Sequence, residues 1–172
     1  MPSIYTVTLN PALDKTVQVP NFAVDQVNRI TWLRQDAGGK GINVSKVIAK
    51  LGGESTAIAV LAGQTGKWIA DTLGENNIKV QAISVPGETR TNLKVVDTEC
   101  GTNTDINEPG PEVTDTMLDQ ALADVIAKTS AGDIVVLSGS LPRGAAADTY
   151  GRWTRALRDA GLKVYLDADG AA

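Results

Sequence analysis

The sequence predicts an α/β protein: a mostly parallel β-sheet with helices on both faces, joined to a small second β-sheet. Apolar, β-branched runs alternate with stretches of helical periodicity along most of the chain, the order that builds βαβ units. Two of these runs, A-I-A-V-L-A at 57–62 and D-I-V-V-L-S at 133–138, are almost continuously apolar, as central strands covered on both sides are. Residues 88–106 interrupt the alternation with two polar, Thr-rich segments around Glu99-Cys100-Gly101, the pattern of a hairpin standing off the main sheet.

Residues 3–9, S-I-Y-T-V-T-L, form the first predicted strand, and Asn10-Pro11 breaks it. Strand-like patches at 16–19 and 28–33 precede a glycine turn. A helix over 40–51 follows from Val44, Val47, Ile48 and Leu51 at helical spacing, with Ser45, Lys46 and Lys50 on the other face and Gly52-Gly53 as the stop. The remaining elements are a strand at 55–62, a helix at 66–75, a strand at 78–84, a helix at 115–129, a strand at 133–138, a helix at 146–160 and a strand at 163–167. The patches at 16–19 and 28–33 join the hairpin in a half-exposed second sheet, spanning about 16–35 and 88–106. Such a sheet serves as a lid over a site, or equally as a fixed surface decoration.

The chain has 172 residues, 42% apolar and 21% charged, enough for one domain with a core. It contains no run of about 18 apolar residues, and its start lacks the basic and long apolar parts of a signal peptide, so the expectation is a cytoplasmic protein away from membranes. The single cysteine, Cys100, excludes an internal disulfide. With no histidine, His-dependent triads and His-ligated metals are excluded, and proton transfer falls to carboxylate, lysine or tyrosine. A net charge of −4 argues against nucleic acid, while a small anion remains bindable by a few placed cations and backbone dipoles.

The stretch 37–43, A-G-G-K-G-I-N, joins a flexible turn, one cation and a helix start. Gly38 and Gly39 allow close backbone approach, the first-turn N–H groups lack internal partners, and Lys40 adds a full charge. The same residues also fit a turn made for close packing. Neither G-x-G-x-x-G nor the P-loop pattern occurs; in G-Q-T-G-K at 63–67 the glycines are too close and Trp68 stands where a hydroxyl is needed. Asp14, after the N-P break at the carboxyl end of the first strand, can accept from two neighbouring sugar hydroxyls, or is an exposed turn aspartate. Arg90 and Asn92 alternate along a strand and share a face; Arg90 suits a phosphate, or a surface carboxylate. Ser138 and Ser140, in S-G-S-L-P, bring hydroxyls to the carboxyl edge of a strand, or make a packing turn. Asp167 ends the last strand, Asp169 lies just beyond it, and neither receives a role.

N-P-A-L-D with Asp14, G-G-K-G-I-N, G-E-T-R-T-N at 87–92, I-N-E-P-G-P at 106–111 and S-G-S-L-P at 138–142 occur in this order. With them the chain resembles the ribokinase-like (PfkB) carbohydrate kinases, and within these the branch of 1-phosphofructokinases and tagatose-6-phosphate kinases. The resemblance implies a kinase dependent on ATP and Mg2+ that phosphorylates a sugar phosphate. Its T-R-T-N form inclines towards fructose 1-phosphate, converted to fructose 1,6-bisphosphate, over tagatose 6-phosphate. It also implies that Asp14 anchors sugar hydroxyls, that Gly38 and Gly39 line the substrate, and that Lys40, Asn43, Arg90 and Asn92 bind the sugar or its phosphate, with Ser138 and Ser140 joining them. A homodimer through the β lid is implied as well.

The chain departs from the family in lacking the later D-T-x-G-A-G-D segment, which carries the catalytic base at a helix N-terminus. The A-G-D at 131–133 opens a strand after a helix, so Asp133 is not read as the base. The expectation is an amino-terminal portion of a longer enzyme: the sugar-phosphate half, without base, metal or ATP site, and inactive alone. An uncovered sheet edge after K-V-Y-L-D would then favour poor solubility or pairing with another chain. The alternative is a non-catalytic domain that binds a sugar phosphate.

Overall fold

The computed structural model describes residues 2–168; Asp169 lies outside them. In chain order its first elements are β1 (Ile4–Thr8), β2 (Ala12–Gln18), β3 (Trp32–Gly38), α1 (Lys40–Lys50), β4 (Thr56–Leu61), α2 (Gly63–Glu75) and β5 (Lys79–Ser84). There follow β6 (Thr91–Asp97), β7 (Thr102–Asn107), α3 (Asp115–Lys128), β8 (Ile134–Ser138), α4 (Thr149–Asp159) and β9 (Lys163–Asp167). β1 is the axis of a five-stranded, wholly parallel sheet in the order β5-β4-β1-β8-β9, so the two apolar runs flank it on either side.

Both faces of this sheet are covered. Val7, Leu9, Ile58, Val60, Val135 and Leu137 pack with Leu118 and Val125 of α3 and Trp153 and Leu157 of α4. Ala57, Ala59 and Leu61 pack on the other side with Ile42 of α1 and Ile69 and Leu73 of α2. Small alanines on that second face let the helices lie close. β9 is an edge strand, with Tyr165 and Leu166 exposed. Among the described residues no helix is long and apolar enough to cross a membrane.

The second sheet has the order β3-β2-β6-β7, with β2 and β6 parallel and the outer pairs antiparallel. Its first two strands are displaced from the patches at 16–19 and 28–33. Residues 28–31 are not strand: the Asn28 side chain closes a loop through Ala23 and Gln26, and pairing starts only beyond Thr31. α2 begins at Gly63 rather than 66 because the Glu88 carboxylate accepts from the Gln64 and Thr65 N–H groups at its start.

The buried face of α1 also differs from the apolar stripe of its sequence. Gly41, Ile42 and Ser45 are buried, whereas Val47 and Leu51 are 55% and 82% exposed. Small and hydroxyl-bearing residues make the contact instead. The Ser45 hydroxyl is 2.8 Å from that of Thr6 and accepts from Ser55, and the Ile42 N–H donates to Thr8 Oγ1 at 2.9 Å.

Asp97 ties the second sheet to the loop before β3. Its carboxylate accepts from the backbone N–H groups of Asn21 (3.0 Å), Phe22 (2.8 Å), Glu99 (3.0 Å) and Cys100 (3.1 Å). Burial alone would raise its pKa, but these bonds, led by that from Cys100, together bring it down to about 2. A depressed folded-state pKa adds stability that is fully present above the ordinary carboxylate value and is lost as pH falls through about 2. Asp97→Asn is therefore expected to destabilise the protein at neutral pH, by an amount that shrinks as pH falls from about 4 towards 2. Urea unfolding across that range checks this; a difference independent of pH would count against it.

Candidate active site

The inner face of the second sheet and helices α1 and α2 enclose a cleft of about 900 Å³. Strand register decides which side chains face it. Asp14 of β2 lies opposite Asp36 of β3 and Asn92 of β6, and Asn92 lies opposite Asn107 of β7. Two residues along, Thr16 lies opposite Arg34 and Lys94, and Lys94 opposite Asp105. The two-residue period puts both rows on one face, and all eight side chains line the cleft. Asn43, Lys46 and Lys50 of α1 and Thr72 and Asn76 of α2 form the facing wall.

Asp14 therefore lies inside β2 and not in a turn after β1. Asn92 Nδ2 donates to its Oδ1 at 3.0 Å, and Asn92 Oδ1 is buried without a partner among the described residues. Gly38 backs the same carboxylate so closely that a methyl group there would fall 2.1 Å from Asp14 Oδ2. Lys46 reaches across from α1 and donates to the Ala37 carbonyl. Burial lowers the pKa of Lys46, while the charges of Asp36 and Asp14 oppose that shift.

A second group of predicted residues adjoins the cleft at the carboxyl ends of β1 and β8. Arg90 donates from Nη2 to the Asn10 carbonyl (3.2 Å) and from Nε to the Pro11 carbonyl (3.4 Å). Burial lowers its pKa, and the Asp14 carboxylate counters it. Asn10 in turn donates to Ser140 Oγ at 3.1 Å and to the Leu141 carbonyl at 3.2 Å. Lys40 is exposed on the first turn of α1, and a methyl group at Gly139 would lie 3.6 Å from its Cβ.

Gly39 precedes the helix at φ 125°, a conformation open to glycine, where a Cβ would meet Thr8 Cγ2 at 2.6 Å. Ser138 is fully buried, and its hydroxyl donates to Asp167 Oδ2 at 3.1 Å. Thus Asp14, Gly38, Asn43 and Asn92 gather at the cleft, Lys40, Arg90 and Ser140 at the neighbouring corner, and Ser138 faces the interior. Asp133 is at the amino end of β8, bound to the N–H groups of Ser3 and Ser130, away from both groups.

Sequence reasoning missed Lys46, Asp36, Thr8 and Asn10. Asn10 carried only a strand-breaking signal, and Lys46 and Asp36 acquire their positions from the folding of one sheet over α1. Thr8 carried only the signal of a hydroxyl at the end of β1, and it meets the glycine turn only in the folded chain.

Residues 7–172 match the family described as pfkB family carbohydrate kinase. The chain belongs to this family. It is 38% identical over 169 residues to the 1-phosphofructokinase of Bacillus subtilis (strain 168), an alignment covering 98% of this chain and 54% of the relative. It is 42% identical to the 1-phosphofructokinase of Xanthomonas campestris pv. campestris, covering 96% and 52%. Among solved structures, phosphofructokinase-2 from Escherichia coli in complex with fructose-6-phosphate superposes with a TM-score of 0.92 at 32% identity, covering 100% of this chain and 56% of that one. The fold is the ribokinase-like α/β arrangement expected from the motifs, and the chain spans about half the length of the curated relatives it matches.

Gly38 and Gly41 separate site geometry from packing. At Gly38 an added methyl meets the movable end of Asp14; at Gly41 it meets the Val7 carbonyl oxygen at 2.6 Å, which is backbone. Gly38→Ala is expected to displace the carboxylate from Asn92 with a stability loss of about 1 kcal/mol, one hydrogen bond's worth. Gly41→Ala is expected to lose more, about 1–3 kcal/mol from overpacking. Urea unfolding of both variants checks the contrast, and equal losses would contradict it.

Proposed function

We propose that residues 1–172 form the sugar-phosphate-binding half of a kinase that transfers the terminal phosphoryl group of ATP to fructose 1-phosphate, giving fructose 1,6-bisphosphate. The carrying observation is the Asp14 carboxylate, held by Asn92 and backed by Gly38 in a cleft walled by further polar side chains. A fixed carboxylate with unshared lone pairs accepts from adjacent hydroxyls, and the amide of Asn43 across the cleft donates or accepts as the sugar requires. At the adjoining corner Lys40 and Arg90 supply positive charge for the phosphate. Two donors of Arg90 hold main-chain carbonyls, which fixes its plane and leaves its other N–H groups for an oxyanion. The names of the relatives support a fructose phosphate as substrate.

ATP and Mg2+ would supply the phosphoryl group and neutralise its charge. In this reading the groups that hold that pair belong to the complete enzyme. No step is derived through them, and residues 1–172 are assigned binding without transfer. The same reading makes the second sheet a lid, in a cytoplasmic homodimer joined through it. Exposed Val24, Val27, Trp32, Leu33 and Ile106 on that part of the chain support the dimer.

Calorimetry on residues 1–172 is expected to detect fructose 1-phosphate binding and no ATP binding. Lys40→Ala and Arg90→Ala should each weaken the sugar phosphate by about 1.5–3 kcal/mol, the loss of one charge-assisted contact. Absence of sugar-phosphate binding would refute the reading, and a clear preference for tagatose 6-phosphate would replace the substrate.

A further inference from the structure

The register of β2 and β3 sets Asp14 directly opposite Asp36. Like charges in that relation repel, so both carboxylates need a counter-charge to remain side by side. Arg34 serves Asp36 from the same strand, with contacts of 2.7 and 2.9 Å. Asn92, the partner of Asp14, is neutral. Arg90 is near, but its guanidinium donates to the Asn10 and Pro11 carbonyls. A further cation comes from the opposite wall. Lys46 extends from the second turn of α1 and donates to the carbonyl of Ala37, the residue between Asp36 and Gly38. Arg34 and Lys50 are the other charged groups that act on it, besides Asp36 and Asp14.

We propose that Lys46 is a positioning residue for the substrate carboxylate: it couples α1 to the end of β3 and, by balancing the Asp14–Asp36 pair, holds Asp14 against Asn92 and Gly38. This rests on the reading of Asp14 as the hydroxyl acceptor. Partial burial strengthens the attraction, because less water screens it. The ammonium thereby links the two walls near the point where the chain passes from the second sheet to the first helix.

Three variants separate charge from hydrogen bonding. Lys46→Met removes both, Lys46→Gln keeps a donor without charge and guards against loss of folding, and Lys46→Arg keeps both. Lys67→Met, exposed on α2 outside the cleft, controls for net charge. The Asn92 side-chain amide resonance is expected to move in Lys46→Met and Lys46→Gln, and to stay near its wild-type position in Lys46→Arg and Lys67→Met. Fructose 1-phosphate affinity should fall about tenfold in the first two and return to within about twofold in Lys46→Arg. An unmoved Asn92 signal in Lys46→Gln would overturn the positioning role. A wild-type chain that binds no sugar phosphate, yet shows the Asn92 shift in Lys46→Gln, would refute the substrate reading while leaving the role of Lys46 intact.

Discussion

Helix α1 lies so close to β1 that a methyl group at Gly41 would fall 2.5 Å from the Thr8 hydroxyl oxygen and 2.6 Å from the Val7 carbonyl oxygen. The rest of the site depends on that approach. With Gly41 at the contact, Thr8 can accept from the Ile42 N–H and stand in for the side-chain cap that Gly39 cannot supply. The hydroxyls of Thr6, Ser45 and Ser55 continue the contact further along. Because this polar line faces the sheet, Asn43, Lys46 and Lys50 turn to the cleft. A bulkier interface would lift α1 away and move its functional side chains with it.

The second wall is held as firmly. Thr89 Oγ1 accepts from the Ala62 N–H at 2.8 Å, and Glu88 binds the first turn of α2. The chain then turns into β6, where Glu108 accepts from the Thr91 N–H at 2.7 Å and Arg90 holds the Asn10 and Pro11 carbonyls. Side chains of the 88–92 segment thus clasp the exits of β1 and β4 as well as facing the site. These bonds fix the root of the second sheet, and its four-strand register then distributes carboxylates, amides and cations over one face in two rows.

A protein with net charge −4 can hold an anion only where cations are placed locally. Three of the cations near the site are also structural. Arg90 ties the β1 exit, Arg34 neutralises Asp36, and Lys46 joins α1 to β3. An exposed ion pair such as Arg34–Asp36 contributes little stability alone, about 0–1 kcal/mol. The value of these three cations lies in orientation, since each fixes a donor or acceptor next to the cleft.

The order of strands and helices was legible in the sequence because periodicity reports burial directly, and the runs at 57–62 and 133–138 could only be strands covered on both faces. The family was legible from motifs whose meaning lies in their order along the chain, and of the residues those motifs carry, Asp14, Asn43 and Asn92 line the cleft. The face of α1 was not. Val44, Val47, Ile48 and Leu51 form the stronger apolar stripe, yet Gly41 and Ser45 make the contact, because close approach and hydroxyl pairing outweigh side-chain area where a helix meets a strand lined with threonine. Nor could the sequence set Asp14 opposite Asp36 or bring Lys46 to Ala37. Those relations depend on strand register and on a sheet folding over a helix, and such distances exist only after the chain has closed on itself.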